Sequence, residues 1–347
     1  SLLSMDFSNF SISQKSMEEI FGSCSSIQSI KFSKEYKLVG KIDHMFSGCS
    51  SLKYLDLSNF DFALNDNFES LFKGCSSLLS LNLSNLDTLS VTNMAFMFYG
   101  CKSLMTLHIT NLDTTKVQSI NSMFYNCSSL NSVDVSSFNT SLVTDMAYTF
   151  YNCKKLESLN LTGFNTSLVT DMNSMFDGCN SLTSLNLINF NTSLVENMKN
   201  MFFGCSKLTS LNLSNFNTKN VNNIGYMFSG CTNLEYINLY NFSDGIIITF
   251  NDLIYGNTDN LIYCLKNETI SKKILFELSL KKCSLNDCSN DWKTKRKKII
   301  KKKANCTDSC LNDDIYRYEF ESFCYEKCPK GSHSSKKDKY LCEANLY

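Results

Sequence analysis

The sequence predicts an α/β repeat, a solenoid whose coils each supply one short strand and one short helix, with a cysteine-rich module at its C-terminal end. Three observations predict it. Nine cysteines stand at 24, 49, 75, 101, 127, 153, 179, 205 and 231, the first interval being 25 residues and the next seven 26. Around each of them the same apolar pattern returns, and a fixed period of roughly 20–50 residues marks stacked supersecondary units. Eight further cysteines (264, 283, 288, 306, 310, 324, 328 and 342) fall outside that register.

The helix is expected in the first half of each copy. In FNTSLVTDMNSMFDGCNSLTSLNL (164–187), Val169, Met172, Met175, Phe176 and Cys179 form the stripe of an amphipathic helix of about two turns. The residue before the cysteine is Gly48, Gly74, Gly100, Asn126, Asn152, Gly178, Gly204 or Gly230, with Ser23 the exception. Glycine or asparagine suits the left-handed residue at a helix C-terminus. The strand is expected next, where Leu182, Leu185 and Leu187 include an in-out alternation. A lone copy cannot bury both faces. Stacking copies places strands about 4.8 Å apart in a parallel sheet and closes the core. After each strand stands an asparagine (Asn59, Asn85, Asn111, Asn189, Asn215, Asn241), suited to satisfying turn backbone between coils. Beside it an aromatic column (Phe60, Phe138, Phe164, Phe190, Phe216, Phe242) fills the core. Ser137 and Gly163 interrupt the asparagine column, which points to two looser coils. Residues 1–10, SLLSMDFSNF, match the tail of a repeat at 51–60, SLKYLDLSNF. The chain thus begins in mid-repeat, as a mature or truncated product would.

The recurring SNF-(N/D)T-x-x-V-T-(D/N)-M-x-x-M-F-x-G-C-x-S-L-x-x-L-x-L resembles the 26-residue repeat of a bacterial surface protein family, also abundant in protist surface proteins. The resemblance covers about 70% of the chain and recurs eight or nine times. It implies a divergent leucine-rich-repeat-like solenoid, located extracellularly or at the cell surface, active in adhesion or recognition and without catalysis. It transfers no functional residue.

Stacked equivalent side chains point the same way, and cysteine is a good small buried hydrophobe. The repeat cysteines are therefore read as buried free thiols. The other eight have the density of a disulfide scaffold with little core of its own, set in an oxidising compartment. A C-x3-C pair occurs at 306/310 and again at 324/328. Zinc usually takes tighter spacing, so disulfides are favoured. Eight cysteines allow 105 pairings, of which a ladder Cys306–Cys324 and Cys310–Cys328 is one.

These signals divide the chain into a solenoid (1–243), a cap (244–292), a basic linker (293–303) and a cysteine-rich module (304–347). In the cap, Ile270, Ile274, Leu275 and Leu278 suggest a helix between Asn257 and Cys283, with Trp292 packing at its edge. The linker DWKTKRKKIIKKK holds eight basic residues between Lys293 and Lys303. It reads as a solvated connection, as a contact for an anionic partner such as a sulfated glycan, or as a nuclear address at odds with the disulfides. Lysine plus arginine number 33 and aspartate plus glutamate 33. The balance gives no global reason to expect nucleic acid as a partner. It hides a split, with 14 basic and 21 acidic groups in 1–260 against 19 and 12 in 261–347. Opposite ends of neighbouring molecules would attract. The longest apolar stretch, Gly245–Phe250, is far short of the roughly 20 residues of a membrane span.

Catalytic and metal motifs are not found. His44, His108 and His333 share no motif, and there is no HExxH, GxSxG, P-loop or GxGxxG. No cofactor is expected. Binding is expected on the concave face, where outward strand positions make two columns. One runs Tyr54, Ser80, Thr106, Ser132, Ser158, Ser184, Ser210, Tyr236; the other runs Asp56, Asn82, His108, Asp134, Asn160, Asn186, Asn212, Asn238. Hydroxyls beside amides and carboxylates suit a carbohydrate or protein ligand, although any solvated sheet presents polar residues. Eleven N-x-S/T sequons occur, at Asn9, 82, 126, 139, 160, 165, 191, 212, 241, 267 and 305. Asn9, Asn126 and Asn241 sit at positions with backbone roles. Asn139, Asn165 and Asn191 lie in exposed NTS loops and, with Asn267 and Asn305, are the expected sites of N-linked glycans. The resulting expectation is a secreted or surface adhesion protein. The alternative is a glycoprotein subunit of a coat or filament assembling head to tail.

Overall fold

A computed structural model describes residues 3–8, 13–32, 38–57, 60–61, 65–84, 86–243, 246–257, 261–265, 278, 283–285, 298–300, 305–307, 309–312, 314–320 and 323–345. The chain winds into a solenoid of about nine parallel coils. Strands stack so that each residue lies beside its repeat equivalent. Ser4 pairs with Ser29 and Ser29 with Tyr54; Ser80 pairs with Thr106; Ser210, Tyr236, Ile262 and Cys283 pair in succession. The register follows from the period, because a slip would turn buried leucines outward. At 132–134, 158–160 and 184–186 the equivalent segments are not regular strands. A second parallel ladder of single bridges runs along the coils through Asn67, Asn93, Ser119, Asp145, Asp171, Asn197, Asn223 and Thr249.

The helix expected in each coil is absent from the described repeats, and stacked turns take its place. An α-helix needs consecutive right-handed residues whose N–H groups reach back four positions. Here left-handed residues recur five positions and one position before the cysteine, as at Ser174 (φ 53°) and Gly178 (φ 73°). The N–H groups then alternate in direction. Met175, Asp177 and Cys179 donate within the coil to Met172, Ser174 and Phe176. Met172, Ser174, Phe176 and Gly178 donate to the next coil, at Asn197, Lys199, Met201 and Phe203. The apolar stripe survives because successive turns also bring side chains inward every three or four residues.

The core is one continuous cluster from Met17 to Leu278. Its spine is a stack of nine phenylalanine rings, Phe21, Phe46, Phe72, Phe98, Phe124, Phe150, Phe176, Phe202 and Phe228. Adjacent centroids are 5.3–5.8 Å apart, with planes within 10° of parallel. Burying one such ring contributes roughly 1.5–3 kcal/mol. Phe164, Phe190 and Phe216 form a second, wider stack at 6.3–6.5 Å. The turn asparagines do donate between coils, Asn111 to Ser84 O and Asn189 to Thr162 O. Where they are missing the coils are not loose. The Ser137 hydroxyl donates to Thr110 O at 2.7 Å. At Gly163 a Cβ would lie 2.4 Å from Ser136 O, so only glycine permits that approach.

The repeat cysteines are free, and eight of the nine are buried. They also bond. Each thiol from Cys49 to Cys231 donates to a phenylalanine carbonyl one coil back, as Cys153 does to Phe124 O at 3.2 Å. In the C-terminal module the bridges are Cys310–Cys324 and Cys328–Cys342, which replaces the ladder Cys306–Cys324 and Cys310–Cys328. The hairpin of Tyr318–Phe320 and Phe323–Tyr325 presents Cys324 to the short helical turn at Cys310. The pair Ser332–Ser334 and Cys342–Ala344 carries the second bridge. Cys264 is also disulfide-bonded. Cys283 and Cys306 are described as backbone only, and Cys288 lies outside the described residues. Lys298–Ile300, within the expected linker, is a strand paired with Asn305–Thr307 and Phe323. Leu278 is helical and buried. Ile270, Ile274, Leu275, Trp292 and the rest of the basic run lie outside the described residues.

Candidate recognition face and glycan edge

The outward residues of the sheet are brought together as a continuous polar face over the middle coils. Tyr54 is 60% exposed, and Ser80, Thr106, Ser132, Ser158 and Ser184 are exposed beside Asp56, Asn82, His108, Asp134, Asn160, Asn186 and Asn212. The second column is oriented by its own turns. The Asn82 Oδ1 accepts the N–H and hydroxyl of Ser84 at 3.0 and 2.7 Å. Asn160 does the same with Thr162, and Asp134 with Ser136, whose bonds hold its carboxyl below the usual range. Asn186 and Asn212 accept from Ile188 and Ser214 N–H. Each such asparagine thereby spends its oxygen locally and turns its Nδ2 donors to solvent. Tyr236 and Asn238 do not belong to this face. Both are 5% exposed, and Tyr236 packs with Ile262 and Cys264 of the neighbouring strand.

The opposite edge of each coil is built on a threonine ladder that sequence reading missed. Thr140 is buried, donates its hydroxyl to Asn165 O at 2.8 Å and accepts Asn165 N–H at 2.8 Å. Thr114, Thr166, Thr192 and Thr218 repeat this with the next coil. Their 26-residue spacing was the available signal. The preceding residue makes an Asx turn, whether Asp87 and Asp113 or Asn139, Asn165, Asn191 and Asn217. Asn139, Asn165 and Asn191 are exposed. Two other sequons are engaged: Asn241 Nδ2 donates to Ser214 O, and left-handed Asn126 accepts Asn152 Nδ2 at 2.7 Å; Asn82, Asn160 and Asn212 are exposed on the sheet face. Asn9 and Asn267 lie outside the described residues, and of Asn305 only the strand backbone is described.

Burial displaces the titration of Asp177, Asp171 and Tyr125. Asp177 is 8% exposed; burial pushes its carboxyl up to about 7, with only a hydrogen bond from Ser174 pulling it down. Burial raises Asp171 as well, assisted by the charges of Asp145 and Glu196. Tyr99, Tyr125 and Tyr151 stack at 4.3 and 4.4 Å, and burial with the flanking tyrosines pushes the Tyr125 hydroxyl up to about 12. Among the described residues no three His, Cys, Asp or Glu are grouped to hold a metal ion, and no helix is long and apolar enough to cross a membrane.

No curated protein matches the chain. A leucine-rich repeat protein from Bacteroides ovatus is 18% identical, with a TM-score of 0.39, over 77% of this chain and 63% of that one. The TLR13–ssRNA13 complex aligns at 22% identity and a TM-score of 0.33, over 76% and 36%. The pneumococcal vaccine antigen PcpA aligns at 15% and 0.28, over 83% and 76%. This chain spans less than two thirds of the length of the first two. A protein family matches three overlapping stretches, residues 15–106, 66–160 and 155–259. Those stretches take in the whole run of register cysteines, and the chain belongs to the family described as "Mycoplasma protein of unknown function, DUF285".

Proposed function

We propose that the protein is a non-enzymatic recognition protein, secreted or held at the cell surface, that binds a protein or carbohydrate through the open sheet face. The carrying observation is the double column of exposed hydroxyls and outward amides repeated on successive coils. Repeated donors at about the strand spacing suit an extended ligand that lies across several coils. The extracellular location is supported by the two disulfides of the C-terminal module. It is supported also by the resemblance to 26-residue surface repeats. Screening the full chain against glycans and extracellular proteins should return a ligand. Its affinity should fall in Asn82→Ala, Asn160→Ala and Asn186→Ala, roughly fivefold for each hydrogen bond lost at about 1 kcal/mol. A ligand insensitive to all three substitutions would place binding elsewhere.

The split of charge between an acidic solenoid and a basic end favours a second reading, a coat or filament subunit assembling head to tail. Under that reading the native protein forms salt-sensitive oligomers in sedimentation. A monomer at low ionic strength removes it.

A further inference from the structure

The turn edge carries a coincidence of residues that the recognition reading does not use. Leu142, Leu168 and Leu194 are 43%, 42% and 45% exposed and stand on three consecutive coils. The equivalent residues in neighbouring coils are Ser90, Lys116 and Asn220. The three leucine coils are also the three that carry the NTS sequon. At the asparagine position Ser90 and Lys116 have Asp87 and Asp113, and the coil of Asn220 has Lys219 where a sequon needs a hydroxyl. Leu89, exposed too, stands one position earlier in its coil. Exposed leucine and sequon therefore occur together, coil by coil.

The local geometry suits an attached sugar. A turn from Thr140 to Val143, closed by Val143 N–H on Thr140 O, holds Leu142 three residues after Asn139, and the same turn recurs at Thr166 and Thr192. Asn139, Asn165 and Asn191 each commit Oδ1 to the N–H two residues on, at 3.0 Å. Among the described residues their Nδ2 groups have no partner, whereas Asn111, Asn189, Asn215 and Asn220 spend theirs on neighbouring carbonyls. The buried threonine carries the structural bond, so the exposed asparagine is free for modification.

We propose that Asn139, Asn165 and Asn191 form a row of N-glycosylation sites whose sugars cover the leucine stripe. This rests on the extracellular location proposed above. The donor is a lipid pyrophosphate-linked oligosaccharide. The Nδ2 forms a bond to the anomeric carbon, the bond from that carbon to pyrophosphate oxygen breaks, the amide loses one proton to the transferase base, and lipid pyrophosphate leaves. Coils about 4.8 Å apart crowd adjacent sugars, while Asn139 and Asn191 stand roughly 10 Å apart. The row accordingly fills at its two ends, with Asn165 the least occupied.

The test is enzymatic deglycosylation, which converts each sugar-bearing asparagine to aspartate, followed by peptide mass mapping of the full chain. Protein secreted from a eukaryotic host tests the geometry, and protein from the native source tests the location. Expected is conversion at Asn139 and Asn191 above Asn165. Sugar on the hosted but not the native protein would overturn the location alone; bare Asn139 and Asn191 in the hosted protein would overturn the sites. The triple variant Ser141→Ala, Ser167→Ala, Ser193→Ala removes the sequons but keeps the Asx turns and the threonine ladder. It should gain apolar-dye binding and shift from monomer to larger species, and adding Leu142→Ser, Leu168→Lys and Leu194→Asn should reverse both. A triple serine variant that stays monomeric and dye-free would show that sugars are not what covers the stripe.

Discussion

At the residue scale the cysteine column decides how the solenoid responds to pH. Burial raises the thiols from Cys49 to Cys231 above the ordinary value of 9.0, Cys49 to about 11, Cys153 and Cys231 to about 12, and Cys75, Cys101, Cys127, Cys179 and Cys205 well above it. A folded-state pKa raised above the unfolded value gives stability that is whole below the unfolded value. It is lost as pH rises through the interval, because the unfolded chain releases protons that the folded chain keeps. Stability should therefore be level for the thiols below about pH 9 and fall from there toward pH 12. Urea unfolding as a function of pH measures this. The slope above pH 9 should diminish in a Cys101→Ala, Cys127→Ala, Cys153→Ala variant, and an unchanged slope would refute the assignment. The same burial explains how the eight thiols from Cys49 to Cys231 coexist with disulfides in one chain. The reactive thiolate is suppressed.

At the element scale the left-handed positions make each coil a series of turns. Gly178 at φ 73° has Asn152 Cα at 3.2 Å from where a Cβ would be. Gly178→Ala should cost about 1–2 kcal/mol through the left-handed penalty, whereas Gly178→Asn, the residue used at 126 and 152, should cost less. Thermal melts of both variants check the order, and equal costs would argue against backbone strain as the cause. Much of this was legible in the sequence. The period, the parallel register, the buried thiols and the outward polar columns all follow from one residue type recurring at one spacing. The helix was misread because helices and stacked turns share an apolar spacing. The discriminating column five before each cysteine holds serine, phenylalanine and tyrosine at most positions (Ser70, Phe96, Ser122, Tyr148, Ser174, Tyr226) and asparagine only at Asn200, so as a column it announces no left-handed backbone. Burial of Tyr236 and Asn238 was not legible either, since the chain leaves the repeat pattern after Phe242 and their neighbouring strand, Ile262–Cys264, lies beyond it. The threonine ladder was legible as a column, but only coordinates show that its hydroxyls bond the next coil.

At the scale of the whole molecule the two parts are held by different physics. In the solenoid each coil contacts its neighbours through stacked rings, thiols and backbone bonds, so stability propagates along one dimension. Among the described residues of the C-terminal module the buried cluster is Cys310 and Cys324 with Tyr316 against them, and two bridges there each join cysteines 14 residues apart. A loop of that length is closed at a gain of roughly 3 kcal/mol per bridge in the chain-entropy account. Hydrogen exchange followed by mass spectrometry, with and without reductant at neutral pH, separates the two. Reduction should release amide protection across 314–345. Protection across 86–243 should persist, because those coils contain no bridge among the described residues and their thiols are already reduced. A module that stayed protected after reduction would mean that the Tyr318–Phe320 hairpin and its neighbours carry stability without their bridges. Loss of protection in the coils would mean that the solenoid depends on the disulfide at Cys264 at its far end.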